Sequence, residues 1–223
     1  MMAVQLCTLI VTALLHSATQ DWTHATMPAS INNPLEALPH NTILVDDPLD
    51  PVSGSTKATR IVLTMVDGQY KVEQEPGPFT GPNWTGTFEF QLLDDQRQIV
   101  STFRLDEVYD ELLFQHPFSL QFADYNQDGH PDFAIGQYAS SNLYRYRLFT
   151  IMDDKIQELP IKPDLEIISS ERSYSTLFKK MGPASFQTDY YDNSVGKSFE
   201  RVYQWTGEAF ERVNGTVSLP TEK

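Results

Sequence analysis

Cysteine is nearly absent from the 223-residue chain: the single one, Cys7, lies inside an apolar stretch from Val4 to Leu15. Everything downstream must fold without a disulfide, so stability has to come from a core or a bound ion. Basic residues are also scarce, sixteen against thirty acidic ones, and the net charge of −14 would repel a nucleic-acid backbone or an anionic membrane surface. Such a surface suits cation binding as well as plain solubility. The stretch from Val4 to Leu15 is too short to span a bilayer comfortably. The five histidines are scattered, at 16, 24, 40, 116 and 130, and there is no H-E-x-x-H, no P-loop and no nucleophile elbow. These absences weigh against an enzyme.

What is present divides along the chain. Residues 1–18 carry no charged side chain and read as a signal peptide, with the departure that no basic residue precedes the apolar stretch. A retained hydrophobic anchor is the alternative. Cys7 is a poor lipid-anchor candidate, because only six residues precede it and Val4-Gln5-Leu6 lacks the usual small residues. Export to the cell envelope or medium follows from this reading. Residues 19–57, with prolines at 28, 34, 39, 48 and 51, read as a leader or linker in which Thr42-Ile43-Leu44-Val45 is only an apolar island. Residues 58–217 read as one β domain and 218–223 as a tail.

Within the domain the expected class is all-β, antiparallel blade-like sheets forming a partial propeller or a sandwich. Arg60–Val66 and Gln69–Glu73 alternate around Asp67-Gly68, which predicts a hairpin turning there. Glu75–Trp84, broken by four residues of Pro and Gly at 76, 77, 78 and 81 and by Pro82, reads as a surface loop. Strands are expected over 85–93 and 99–105, and a short helix or long turn over 106–115. Phe118–Phe122, Phe133–Ile135, Leu143–Ile151 and Lys155–Leu159 follow as strands, with Asp153-Asp154 turning the last pair. Leu165–Ile168 reads as one more strand, and 169–182 as helix or loop. Ser198–Trp205 and Ala209–Val213 close the fold as a hairpin around Gly207. The aromatics Phe186, Tyr190 and Tyr191 suit a packed sheet or, less simply, a glycan-stacking platform.

The most informative stretch is Phe122–Gly136, F-A-D-Y-N-Q-D-G-H-P-D-F-A-I-G. Asp124, Asn126, Asp128 and Asp132 offer side-chain oxygens at loop positions one, three, five and nine, and His130 stands at position seven, where a backbone carbonyl ligates. A hard divalent cation takes six to eight oxygens, and a tight loop aims alternate side chains inward while those between face water. Gly129 permits the sharp turn. An EF-hand needs a bidentate Glu at position twelve; here that position is Ile135 within Phe133-Ala134-Ile135, so the loop should run out into a strand. The other reading is a polar turn without a metal.

These residues resemble the calcium-binding repeat of the FG-GAP/VCBS family, the repeat that also builds the integrin alpha-chain propeller. The resemblance covers about fifteen residues strongly. It implies one calcium, held for structural reasons by Asp124, Asn126, Asp128, His130 and Asp132 in a single-repeat, secreted protein of bacterial type. It also implies adhesion-like contact with a cell-surface protein or polysaccharide, and supplies no reaction. A secreted hydrolase using calcium as structural ion or Lewis acid is the alternative. A deep pocket with convergent polar groups away from the loop would mark it, and none is expected. Asn83-Trp84-Thr85 and Asn214-Gly215-Thr216 match glycosylation sequons, which are chance occurrences on a bacterial reading.

Overall fold

The computed structural model describes residues 42–49, 57–213 and 217–218. The signal peptide, Cys7, most of the leader, the Asn214 sequon and most of the tail lie outside the described residues. What is described is all-β, with a single 3-10 turn at Leu105–Glu107, and its three sheets do not close into a barrel.

The first sheet is β1 (Thr42–Pro48), β2 (Arg60–Glu73), β3 (Gly81–Leu93) and β4 (Ile99–Arg104), with β5 (Leu113–Phe114) also on β3. The second is built on β7 (Asp132–Ser140) and β8 (Leu143–Met152). On it β6 (Phe122–Ala123) pairs with β7, while β9 (Lys155–Leu159) and β11 (Ile167–Ser169) pair with β8. The third runs β10 (Ile161–Lys162), β15 (Phe210–Arg212), β14 (Lys197–Trp205), β13 (Ser185–Asp192) and β12 (Lys179–Gly182), with β16 (Val217–Ser218) on β14. Pairing is antiparallel except between β10 and β15.

The second sheet is the middle layer. Phe133, Ile135, Phe149 and Ile151 pack with Ile61, Leu63, Phe88 and Phe90 of the first sheet. Ala134, Tyr146 and Leu148, from the same two strands, pack with Phe186, Tyr203 and Phe210 of the third. A sheet covered on both faces loses the apolar–polar alternation of a half-exposed one. Accordingly the first six residues of β7 are all buried. Aromatic pairs link the layers, Phe90 to Phe133 at 5.3 Å and Phe103 to Phe149 at 5.6 Å between centroids.

Several expectations need correction. Thr42–Pro48 is not part of a loose leader but an edge strand whose Leu44 and Val45 sit in the core. Asp67-Gly68 does not turn: β2 continues through it to Glu73, and the hairpin reverses beyond. Gly68 faces Gly86 across the pair, and a Cβ at either would come within 2.3 Å or 2.2 Å of a carbonyl oxygen on the opposite strand. The glycines serve close approach of two backbones beside a bulge. Because the pairing runs on, Gly81–Trp84 is strand rather than loop. Of the two readings of 106–115, helix or long turn, the turn stands; after the 3-10 turn Tyr109 buries, donating its hydroxyl to Ile135 O at 2.5 Å. Phe118–Leu120 is irregular, and the strand before the loop is only Phe122–Ala123. Of the two readings of 169–182, helix or loop, the loop stands, and it ends in β12. The Asp153-Asp154 turn and the closing hairpin around Gly207 stand where the sequence predicts them.

Candidate functional site: the loop between β6 and β7

The loop 124–132 leaves β6 and re-enters β7, and it runs out into a strand as the apolar residues after Asp132 require. Gln127 and Gly129 take positive φ, 61° and 86°, which winds the chain tightly. Backbone amides turn inward onto the acidic side chains. Gly129 N donates to Asp124 Oδ2 (3.1 Å), His130 N to Asp128 Oδ1 (2.8 Å), and Asp128 N to Asn126 Oδ1 (3.2 Å). Asn126 Nδ2 donates to Asp128 Oδ2 (2.8 Å).

Asp132 closes the ring. It is 0% exposed, and its Oδ2 accepts from Tyr125 N at 2.7 Å. Burial pushes its carboxyl up to about 7, against the easing effect of Tyr125 N and the nearby Thr150 hydroxyl; the charges of Asp128 and Asp124 push it further up. Thr150 is the cross-strand partner of Asp132 on β8. Its Oγ1 lies near enough to ease the charge, yet neither it nor Asp132 Oδ1 completes a hydrogen bond within the protein. Asp124 Oδ1 is likewise buried and without a partner.

The loop is anchored by a residue expected to face water. Tyr125 is 1% exposed, packs against Phe186 and Phe178, and accepts a hydrogen bond on its hydroxyl from Phe178 N at 2.8 Å. It inserts between the second and third sheets while its own backbone amide holds Asp132. Gln127 and Gly129 are exposed as expected.

Of the five residues read from the sequence, Asn126 and Asp132 are buried, Asp124 is half-buried and Asp128, expected to point inward, is exposed. His130 contributes its amide to Asp128, and its ring Nδ1 is buried without a partner. Among the described residues no three Asp, Glu, His or Cys side chains stand at metal-binding spacing. The donor set counts an amide oxygen and a backbone carbonyl among five, and Asn126 and Asp128 are turned onto each other and onto backbone amides. Two buried carboxylate oxygens without partners, on residues one and nine of the loop, are nonetheless what a hard cation satisfies.

The chain matches no protein-family model, no curated protein and no solved structure. The family resemblance therefore rests on the loop residues themselves. Sequence reasoning missed Thr150 and Tyr125. The spacing of Thr150 carries no signal, whereas an aromatic at loop position two is visible in the sequence and only its direction is not. Asn83 of the first sequon is buried, its Nδ2 donating to Phe79 O and Gly81 O at 2.7 and 2.8 Å.

Proposed function

We propose that this protein is an exported calcium-binding β domain in which one calcium, held by Asp124, Asn126, Asp128, the His130 carbonyl and Asp132, fixes the loop between β6 and β7. The observation that carries the reading is the pair of buried, unpartnered oxygens, Asp124 Oδ1 and Asp132 Oδ1, in a loop whose alternate residues are oxygen donors. Calcium supplies charge neutralisation there and no reaction. Removing it leaves three carboxylates to repel one another within one loop. The resemblance to the FG-GAP/VCBS repeat extends the proposal to a secreted or envelope-bound module that contacts a cell-surface protein or polysaccharide.

The charge-free start and the single cysteine at position 7 support export. The hydrolase alternative is favoured by no specific observation at the loop, where one oxygen each of Asp124, Asp128 and Asp132 accepts from a backbone amide.

Three carboxylates suit the affinity of extracellular modules, on the order of 10⁻⁴ M. Isothermal titration of the purified chain should show one site in that range. Melting with about 1 mM calcium should exceed melting in chelator by about 3–6 °C. Asp128→Ala should abolish the difference while melting near chelated wild type. Absence of both binding heat and a thermal shift in wild type at millimolar calcium overturns the proposal.

A further inference from the structure

At the far end of β7 from the calcium loop, about 20 Å along the strand from Asp132, three adjoining hollows form one groove. The innermost, about 140 Å³, is lined by Phe79, Gln115, Gln137, Tyr138, Tyr144 and Tyr174, among others. A wider one of about 580 Å³, within the size range of ligand pockets, shares Tyr138 and Tyr144 and adds Pro78 and Arg172. The third continues past Arg172 to Asn142 and Tyr191. Pieces of all three sheets meet here: the β2–β3 turn, β5, the β7–β8 hairpin, the loop before β12, and β13.

The groove is built rather than left over. Gln137 is only 4% exposed, and its Oε1 accepts from Leu113 N at 3.0 Å. That backbone donor fixes which way the amide points, so Nε2 is the end left over, and it is buried with no partner. A buried primary amide with both protons unspent costs free energy until something accepts from it. Around it the rings are fixed by one another: Phe79 meets Tyr138 edge-on at 5.0 Å, and Tyr138 meets Tyr144 at 6.2 Å. Arg172 is exposed beside Tyr144, donates to Ser141 O at 3.4 Å, and has no carboxylate within ion-pair distance among the described residues.

We propose that this groove binds a saccharide chain. A sugar ring has an apolar C–H face that lies on a tyrosine ring and an edge of hydroxyls that pair with planar donors and acceptors. The groove is lined by the half-buried rings of Tyr138 and Tyr144, a pinned amide donor in Gln137 and a guanidinium in Arg172. An extended groove spanning three hollows suits successive sugar units rather than one compact ligand. The charge of the protein disfavours a densely anionic polymer, so neutral hexose and N-acetylhexosamine chains are the expected class, with Arg172 donating to hydroxyl or acetamide oxygens.

The site does not depend on the calcium reading, and the test keeps the two apart. The full chain is applied to an array of neutral and uronate oligosaccharides in calcium and in chelator, and the strongest hit is titrated in solution. Selective binding of a neutral chain is expected, weakened tenfold or more by Tyr138→Ala and by Arg172→Ala. Tyr190→Ala, whose ring stacks on Phe199 elsewhere on the third sheet, should leave it unchanged. Circular dichroism of each variant confirms that it is folded. No selective binding in either buffer, selective binding of uronate chains only, or binding that both groove variants leave intact, overturns the proposal. Binding that survives chelation supports it whatever becomes of the calcium site.

Discussion

If Asp132 is a calcium ligand, protons and calcium compete for it, because calcium needs the carboxylate ionised and burial holds that carboxyl up to about 7. About nine-tenths of it is ionised at pH 8 and about one-tenth at pH 6, so apparent calcium affinity should fall about tenfold across that range. Starting from a dissociation constant on the order of 10⁻⁴ M, about 1 mM calcium stabilises the fold by about 1.4 kcal/mol at pH 8 and about 0.4 kcal/mol at pH 6. The thermal increment should therefore shrink from about 3–6 °C to about 1–2 °C. In chelator the slope runs the other way. The folded-state value lies above the ordinary 3.8, so this group's contribution to stability is fully present below about pH 4 and is lost as pH rises toward 7, at about 1.4 kcal/mol per pH unit. Scanning calorimetry at pH 6, 7 and 8, with calcium and with chelator, reads both slopes. Asp132→Asn keeps an acceptor for Tyr125 N but cannot ionise, so it should lose the calcium increment and the pH slope in chelator together. An increment equal at pH 6 and pH 8 would refute the assignment of Asp132 as ligand. A chelated slope unchanged in the variant would refute its origin in this carboxyl.

Three further outcomes follow from packing. Gly136→Ala should destabilise by about 1–3 kcal/mol in chemical denaturation, because its Cβ would stand 2.4 Å from the Tyr146 ring and 2.9 Å from Ser173 O. Leu44→Ala should cost about 2–5 kcal/mol, and a chain beginning at residue 58 should be less stable still, since Leu44 and Val45 are buried in the core between the first and second sheets; a truncation that melts with the full chain would contradict this. Tyr125→Phe should lower the melting temperature by removing the acceptor for Phe178 N, and Tyr125→Ala should weaken calcium binding in titration, because the loop would lose its anchor between the sheets.

How far the fold could be read in advance depended on whether a signal was local. The β8–β9 turn and the closing hairpin are short-range features, with Asp153 and Asp154 both at positive φ and Gly207 in the bend, and their residues declare them. The run of Asp132–Gln137 could be recognised as strand but not as the middle of three layers, because burial on both faces erases the period-two pattern that gives a strand its direction. Asp67-Gly68 misled for a related reason. A glycine that lets two strands approach and a glycine that turns a hairpin look alike until the partner strand is known, and here the partner is Gly86, eighteen positions away. Thr42–Pro48 was hidden by proline-rich flanks, although its pairing with β2 depends only on an edge register that tolerates Pro48 at the end. The oxygen positions of the loop were legible because the spacing is local. The groove was not, since Gln137, Phe79, Tyr144 and Arg172 converge from four separate segments.

The loop's setting explains why a cation there should act on the whole domain rather than on nine residues. Asp132 is at once the last donor of the loop and the first residue of β7, and the next residue, Phe133, packs into the interface with the first sheet. Tyr125, in contrast, reaches into the interface with the third sheet and presents its amide to Asp132. One hydrogen bond of 2.7 Å thus joins a residue anchored in one core to the start of a strand anchored in the other. Neutralising Asp132 by a proton or by a cation relieves the same buried charge, but only a cation also draws Asp124 and Asp128 to it. Protonation should therefore restore stability without ordering the exposed half of the loop, and calcium should do both. Amide hydrogen exchange separates them: at pH 6 in chelator the amides of Gln127 and Gly129 should be less protected than with calcium at pH 8, after correction for intrinsic rates, while those of Phe133 and Ile135 are protected in both. Equal protection of Gln127 and Gly129 in the two states would show that the loop is ordered without a metal.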